Sequence, residues 1–472
     1  MVLISGYSSE SDLELSANAN NGSSDGLRPY LPNDENLKGR TALEDKQTVE
    51  TEHRVKRARG PKGANSSSKH KKRKGKGPWA SWSSSSEDNS DDPEDKNRRS
   101  SSNINTPVVY KDDDVEVQEN GDHLASKETS DFYGNSATDY QGRSFLHPPI
   151  EENIDFAKAP LSFRNYLPKK LIHKFAGHGN GTTVVRMLPK TGHLFLSGGN
   201  DNKVKLWDMY HDRSLLRDYY GHSKAIKDVN FTEDGHQFLS TSFDQYVKIW
   251  DVETGRVNNR LNFSCTPNCA SFRPSNSNEL IVGLSNREIR HFDLRVSDKN
   301  GLVQVYDHHL SSIIALKYFP DGSKLISSSE DKTMQIWENQ INIPIKQISD
   351  TAQYSMPYID IHPEHNYFAA QSMDNTIYPF SMKPKYKRHP KKRFEGHKCA
   401  GFGIGFGFSS DGRYIASGDS KGGVFIWDWK TTRLLKQFEV PGKKAIVTLA
   451  WAPQETSKIV CAGNGEKIYL YD

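Results

Sequence analysis

Aspartate, histidine and serine recur together in this sequence at nearly constant spacing, and these are the side chains of a serine hydrolase triad. In every set, however, a tryptophan follows the serine by ten residues. The sets are His178, Ser197, Asp201 and Trp207; His222, Ser240, Asp244 and Trp250; and His309, Ser327, Asp331 and Trp337. A carboxylate can accept from the imidazole, the imidazole can bond the hydroxyl, and the hydroxyl can accept from the indole N–H. Because the set recurs and needs the indole, it predicts a buried structural network and no catalytic residue.

Other residue patterns suited to chemistry are few. Cys265 and Cys269 lie four residues apart, but no second Cys or His pair follows at zinc-ligand spacing, so buried free thiols are expected. Glycines alternate from Gly401 to Gly407 in a strand-like run, which differs from the loops that cradle phosphates. The sequence therefore predicts a protein that is no enzyme and has no cofactor, metal or small-molecule substrate.

The element that must position the networks is a repeat that ends in an aromatic residue. The seven aromatics are Trp207, Trp250, Phe292, Trp337, Phe380, Trp427 and Tyr471, at spacings of 43, 42, 45, 43, 47 and 44 residues. A period of about 40–45 residues with a terminal Trp-Asp is typical of WD40 blades, each built from four antiparallel strands. The sequence therefore predicts an all-β fold, a seven-bladed WD40 β-propeller.

The last repeat predicts how the ring closes. The sequence ends at Asp472, after the third strand of the seventh unit, and an open blade would leave an unpaired sheet edge. The run Lys170–Phe175, directly before the first Gly-His pair, is the expected donor of the missing strand. We therefore expect residues 165–472 to form one propeller closed by an N-terminal strand. Blades 3, 5 and 7 depart from the repeat, as Ala370 in place of the blade 5 serine illustrates.

The first 150 residues differ in composition from the rest of the chain. They carry 21 Lys and Arg against 25 Asp and Glu, a net charge of −4; the whole chain carries +4, so the remainder carries +8. Before residue 131 the aromatic residues are Tyr7, Tyr30, Trp79, Trp82 and Tyr110. Such a segment cannot bury enough apolar surface to offset its ordering entropy, so residues 1–138 are expected to be a disordered tail. No apolar run approaches the length of about 20 residues that a membrane span needs.

A block of basic residues in this tail predicts nuclear localisation. Eleven Lys and Arg and no acid lie between Arg54 and Lys76. The core of the block comprises Lys69, Lys71, Lys72, Arg73 and Lys74. Such a run repels itself, stays solvated and is available to the acidic groove of an import receptor. A merely solubilising tail is the alternative interpretation.

Two short islands of aromatic residues interrupt the polar tail. They are GPWASW, residues 77–82, and DYQGRSFLHPP, residues 139–149. Isolated aromatics in a polar segment are typical of anchors that fold onto a partner. The residues predicted to dock are Trp79, Trp82, Tyr140, Gln141, Gly142, Arg143, Phe145 and Leu146. Residues 139–164 are accordingly expected to be an extended segment that docks to a partner.

A basic strip lies between the fifth and sixth repeats. It comprises Lys383, Lys385, Lys387, Arg388, Lys391, Lys392 and Arg393, with no acid among them. Seven cations in eleven residues predict contact with RNA phosphates or with an acidic protein surface, and such binding weakens as salt is raised. A solvated loop that only keeps the protein soluble is the other interpretation.

With these motifs placed, residues 139–472, together with GPWASW before them, resemble the pre-mRNA-processing factor 17 family of spliceosomal WD40 proteins. The shared motifs are GPWASW, DYQGRSFLHPP, Tyr166–Lys170, Ser223–Phe231, Ser355–Pro357, Ala369–Asn375, Ile426–Thr432 and Pro453–Lys458. The resemblance implies a nuclear, non-catalytic factor that supports the second transesterification step of splicing. It also implies contacts with the central scaffold protein and other components of the activated spliceosome.

One short motif indicates an alternative class of function. Phe292-Asp293-Leu294-Arg295 resembles the WDxR box by which substrate receptors of cullin-type ubiquitin ligases dock to their adaptor. A chromatin reader is a further alternative, because the propeller fold hosts many functions. Affinity purification distinguishes these classes by the proteins that accompany the chain.

Overall fold

The computed structural model describes residues 128–134, 136–138, 141–149, 155–156, 158–159, 161–296 and 301–472. These residues form seven small antiparallel sheets and no α-helix. The inner strand of each sheet contacts the inner strand of the next, and the seventh contacts the first, so the sheets form a closed ring. The predicted seven-bladed β-propeller is confirmed. Within the described ranges there is no helix long and apolar enough to cross a membrane.

The strands follow the repeat in chain order. Two precede the first repeat: β1 (Thr129–Phe132) and β2 (Leu171–Ala176). Blade 1 has β3 (Thr182–Met187), β4 (Leu194–Gly199), β5 (Val204–Asp208) and β6 (Leu215–Tyr220). Blade 2 has β7 (Ile226–Phe231), β8 (Gln237–Ser242), β9 (Tyr246–Asp251) and β10 (Val257–Asn262). Blade 3 has β11 (Pro267–Arg273), β12 (Asn276–Leu284), β13 (Ile289–Asp293) and β14 (Leu302–Tyr306).

The remaining four blades continue the order. Blade 4 has β15 (Ile313–Tyr318), β16 (Lys324–Ser329), β17 (Met334–Glu338) and β18 (Pro344–Ile348). Blade 5 has β19 (Tyr358–Ile361), β20 (Tyr367–Ser372) and β21 (Thr376–Ser381). Blade 6 has β22 (Phe406–Phe408), β23 (Tyr414–Gly418), β24 (Gly423–Asp428) and β25 (Leu434–Glu439). Blade 7 has β26 (Ile446–Trp451), β27 (Ile459–Gly463) and β28 (Lys467–Tyr471).

Blade 7 takes its outer strand from the N-terminal side of the ring. Strand β2 pairs antiparallel with β28, from Leu171 opposite Tyr471 to Ala176 opposite Lys467. Phe175 on β2 is buried and packs edge-on against Phe195 and Trp207 of blade 1. Strand β2 therefore completes one blade and also contributes to the core between blades 7 and 1.

The core lies between the blades. Seven apolar clusters of buried residues occur in the described ranges, one for each pair of neighbouring blades. Because side chains alternate along a strand, the two faces of each sheet serve two different clusters. The repeat aromatics Trp250, Trp337 and Trp427 are at most 1% exposed, so they are central to this packing.

Charged side chains on the inner strands link distant blades. Arg186 on β3 donates to Asp228 on β7 at 3.1 Å and to the Tyr358 hydroxyl on β19 at 3.3 Å. Lys317 on β15 lies 3.2 Å from Asp360 on β19. Inner strands of a propeller line its central channel, so the contact of Arg186 with Tyr358 joins blades 1 and 5 across the channel, whereas the other two contacts join neighbouring blades.

Blade 5 has three strands, and the chain after it replaces the fourth. Isolated bridges join Arg388 to Phe380 and Phe394 to Ile377, so residues 388–394 run along the free edge of β21. Pro390 interrupts this segment, and proline has no N–H to donate to a ladder. The outer edge of blade 5 is therefore an irregular segment that carries the basic strip.

Candidate partner-binding surfaces

Each recurring set of Asp, His, Ser and Trp is brought together by hydrogen bonds within one blade. In blade 1, His178 lies 2.8 Å from both Asp201 and Ser197, and Trp207 Nε1 donates to the Ser197 hydroxyl at 2.8 Å. The same three distances are 2.8, 2.7 and 2.9 Å in blade 2. They are 2.8, 2.7 and 2.8 Å in blade 4. Each serine is buried and held by an indole, as a structural network requires.

Electrostatics fixes the charge state of His222 and of the three aspartates in these networks. Burial lowers the pKa of His222 and outweighs the hydrogen bond with Asp244, so the imidazole is neutral at pH 7. Its Nδ1–H donates to Asp244, and its Nε2 accepts the Ser240 hydroxyl. The pKa values of Asp201, Asp244 and Asp331 are below their usual value. Burial alone would raise each pKa, but the hydrogen bonds from histidine and backbone outweigh that effect.

Replacing Ser327 with alanine is expected to destabilise the protein by about 1–3 kcal/mol. The change leaves the Trp337 indole N–H and the His309 Nε2 buried without their shared partner. Urea denaturation of the full chain measures the loss.

Ser417→Ala is the matched control, because Ser417 also lies ten residues before a tryptophan, Trp427 in blade 6. That indole donates instead to the Glu395 carbonyl at 3.1 Å. The control is expected to cost less than about 1 kcal/mol, and equal losses in the two variants would contradict the network.

The four cysteines are free thiols. Burial raises the pKa of Cys399 to about 11 and that of Cys269 well above its usual value. No group of three or more His, Cys, Asp or Glu with the geometry of a metal site occurs among the described residues.

The docking island at residues 139–149 contacts the propeller itself. Phe145 and Leu146 pack against the cluster between blades 1 and 2. His193 Nε2 donates to the Phe145 carbonyl at 3.2 Å, and the Phe145 ring stacks on Phe132 with centroids 5.6 Å apart. Arg143 is half-buried, whereas Gln141 and Gly142 are exposed. The two apolar anchors of the island therefore lie on this chain's own ring.

Some of the predicted residues lie outside the described ranges. These are Trp79, Trp82, Tyr140 and the nuclear block Lys69, Lys71, Lys72, Arg73 and Lys74.

A strand forms within the segment that composition assigned to the disordered tail. Strand β1 pairs antiparallel with β6, from Thr129 opposite Tyr220 to Phe132 opposite Arg217, and makes blade 1 five-stranded. The expected tail boundary at residue 138 is therefore wrong for residues 129–132. Average composition misses this strand because its stability comes from particular partners on blades 1 and 2.

The residue that anchors β1 is Glu128, which sequence analysis did not single out. Its carboxylate accepts from Lys248 Nζ at 2.6 Å and from Arg260 Nε at 2.7 Å, both on blade 2. The Glu128 and Lys248 side chains are 3% and 1% exposed. Burial raises the pKa of Glu128, but the two cations outweigh it and hold the pKa below its usual value. Arg217 also lies over the Phe132 ring at 5.0 Å.

Replacing Glu128 with glutamine is expected to release β1 from blade 1. The amide cannot neutralise Lys248, and a buried ammonium without its counter-charge costs several kcal/mol, which release of β1 into water avoids. Hydrogen exchange of the β1 amides in the full chain should accelerate at least tenfold. The exposed pair of Glu233 with Lys190 gives the control, because Glu233→Gln should leave β1 protected. Unchanged protection in Glu128→Gln would show that the carboxylate does not anchor β1.

The basic strip lies along the outer edge of blade 5, and all its cations except the half-buried Lys392 are exposed. Arg388 lies 3.8 Å from Asp350, and Arg393 lies 2.9 Å from Glu395. Lys392 Nζ lies 4.9 Å from the centroid of the Trp429 ring, and burial lowers its pKa. Among the exposed cations, four have no salt bridge to an acid of the described ranges: Lys383, Lys385, Lys387 and Lys391.

A groove of about 640 Å³ separates one part of this strip from β18 of blade 4. The charged residues that line it are Lys324, Lys346, Lys385, Lys387, Arg388 and Asp350. Five cations thus face a single acid. Ile345 of β18 lines the same groove and is 45% exposed.

The WDxR-like segment ends in a local ion pair. Arg295 Nη2 lies 2.7 Å from Asp293 Oδ2, and this pairing lowers the pKa of Asp293. Phe292 is buried, and the Arg295 side chain is 60% exposed.

Comparison with known families identifies the repeat. The model of the WD domain with its G-beta repeat matches residues 169–208, 213–251, 300–338 and 388–428. Among solved structures, the β-propeller domain of Cps50 (Swd1) from Myceliophteria thermophila is similar, with a TM-score of 0.57 and 18% identity. The match covers 64% of this chain and 99% of that domain, and at this identity it shows the fold alone.

Three relatives are similar over most of this chain. Pre-mRNA-processing factor 17 of Saccharomyces cerevisiae is 58% identical over 351 residues, which cover 74% of this chain and 77% of that protein. The proteins of that name from mouse and human are each 36% identical over 336 residues, which cover 71% of this chain. The matched segment spans 57% of the length of each of those two relatives.

Proposed function

This chain belongs to the pre-mRNA-processing factor 17 family, and from that membership we propose that it is a non-catalytic splicing factor that supports the second transesterification step. Its propeller acts as a scaffold for spliceosomal proteins in the nucleus. The partners are the central scaffold protein and other components of the activated complex. The observation that carries this proposal is 58% identity to the yeast relative over 351 residues, 74% of this chain.

The mechanism is positional. A closed ring with seven interlocked cores is rigid, and a rigid surface that binds one conformation of a larger assembly better than another shifts the population toward it. The Asp, His and Ser residues contribute to the rigidity of the ring, because their hydrogen-bonding groups are directed into the blades.

Depletion of the protein from a splicing extract tests this function. Lariat intermediate and free first exon should accumulate, because the first step proceeds and the second does not, and the recombinant full chain should restore the product. Accumulation of unspliced precursor alone would place the role before the first step.

The part of the basic strip outside the groove is proposed to contact the RNA backbone without reading bases. Exposed lysines that pair with no acid of the described residues, such as Lys383 and Lys391, support this role, because phosphate neutralisation releases counterions and gives strong salt dependence. Glutamate at all seven positions should abolish crosslinking of the chain to RNA in assembled spliceosomes. Retained crosslinks and normal splicing would show that the strip only keeps the protein soluble.

The cullin-receptor alternative rests on Arg295. The local pair of Arg295 with Asp293 explains this arginine without an adaptor. Affinity purification should recover splicing proteins; recovery of a cullin adaptor would favour the alternative.

A further inference from the structure

The chain itself shows how an extended segment fills the slot between two blades. Strand β1 adds to β6, the outer strand of blade 1, and its Glu128 reaches Lys248 and Arg260 of blade 2. One blade thus supplies the strand edge, and the next blade supplies the cations.

The groove between blades 4 and 5 is the equivalent slot. Strand β18 is the outer strand of blade 4, and residues 384–388, which lead from β21 to the outer edge of blade 5, line the groove. In the described ranges β6 is paired on both sides, whereas β18 is paired with β17 alone. The strand edge and the cations of the next blade are therefore both present in this slot.

The lining of this groove favours a polypeptide over RNA. An edge strand offers backbone N–H and C=O groups that form a ladder of hydrogen bonds with an added strand. The phosphates of RNA cannot form such a ladder, because they accept hydrogen bonds but do not donate them. Exposed Ile345 lines the groove, and Ile343 beside it is 70% exposed. Apolar surface next to cations suits a peptide in which acidic and apolar side chains alternate.

We propose that this groove binds an extended acidic segment of a partner protein, which adds to β18 as a fifth strand. Its carboxylates pair with Lys385, Lys387 and Arg388, and an apolar side chain packs on Ile345. Because Pro344 has no N–H, the added strand pairs with residues 345–348. This inference rests on the proposed scaffold function and names the partner chemistry of one part of the strip.

A labelled peptide and two triple variants of the full chain test the inference. The probe is fluorescein-DDDVEVQE, the sequence of residues 112–119, in which carboxylates and valines alternate from Asp114 to Val117. Its affinity is measured by fluorescence anisotropy. The groove variant is Lys385→Glu, Lys387→Glu, Arg388→Glu. The matched control is Lys383→Glu, Lys391→Glu, Arg393→Glu, which makes the same charge change in the same strip outside the groove lining.

The groove variant should weaken binding at least tenfold and the control less than threefold. Saturation of the wild-type chain with the peptide should also slow hydrogen exchange of the amides at Ile345–Ile348. Equal weakening in both variants would overturn the proposal, because only the net charge of the strip would then matter. Unchanged hydrogen exchange at β18 would also overturn it, because no strand would then be added there.

Two further results would assign the groove to another occupant. If octauridylate binds with the same dependence on the groove residues and the peptide does not bind, the site takes RNA. If the peptide binds only after residues 112–119 are deleted from the chain, the occupant is the chain's own tail. Each result would overturn the proposal that a partner's segment occupies the groove. Failure of the depletion assay would instead overturn the splicing function, and the peptide measurements would remain valid.

Discussion

Deletion of residues 170–176 is expected to leave the propeller insoluble. Strand β28 would lose its outer partner, and the core between blades 7 and 1 would lose Phe175, which packs on Phe195 and Trp207. Loss of one buried phenylalanine alone costs about 3–5 kcal/mol, against a total stability of about 5–15 kcal/mol for a typical domain. An open blade would also expose a sheet edge, which promotes aggregation.

Size-exclusion chromatography of the soluble fraction measures this effect. Deletion of residues 128–134 is the matched control, because it removes another seven-residue segment that contains a strand. Strand β1 adds to blade 1 after that blade already has four strands, so this variant should remain a soluble monomer. A soluble, monomeric 170–176 deletion would show that β2 is dispensable for closure.

The protein is expected to lose stability as pH falls from 7 to 5. Burial lowers the pKa of His193 and of His397 to about 4, and both side chains are nearly inaccessible. In the unfolded chain a histidine has a pKa of about 6.5. The folded state therefore binds fewer protons, so this stabilisation is complete above pH 6.5 and is lost as pH falls toward 4. Each histidine accounts for about 2 kcal/mol of the loss at pH 5.

Urea denaturation of the full chain at pH 7 and pH 5 measures this dependence. The double variant His193→Gln, His397→Gln should be less stable than wild type at pH 7, because Gln371 and the Phe145 carbonyl lose their imidazole partners. Its further loss between pH 7 and pH 5 should be smaller than that of wild type by about 3–4 kcal/mol. An unchanged pH dependence would show that these histidines are not held neutral.

The networks illustrate what the sequence can predict. His309, Ser327, Asp331 and Trp337 belong to one repeat, so their spacing alone brings them together. The same local logic predicts the number of blades. Recurrence also distinguishes these residues from a hydrolase triad, which occurs once.

Glu128 illustrates what the sequence cannot predict. Its partners Lys248 and Arg260 lie 120 and 132 residues away, and no periodic pattern relates them. The groove beside the basic strip was missed for the same reason, because β18 comes from the preceding repeat. Phe145 was recognised as an anchor from its polar surroundings, but composition does not reveal which surface an anchor contacts.

The closure of blade 7 has a consequence for the newly made chain. Leu171 pairs with Tyr471, and a ribosome adding about 5–20 residues per second needs roughly 15–60 s to make the 300 residues between them. During that interval β2 has no strand to pair with. The apolar residues of blade 1 that pack on Phe175 also lack their partners from blade 7. Pairing over so long a stretch of chain is also slow by its topology. We therefore expect the ring to close last, after blades 1 to 6 have formed, and nascent chains to need protection from aggregation until then.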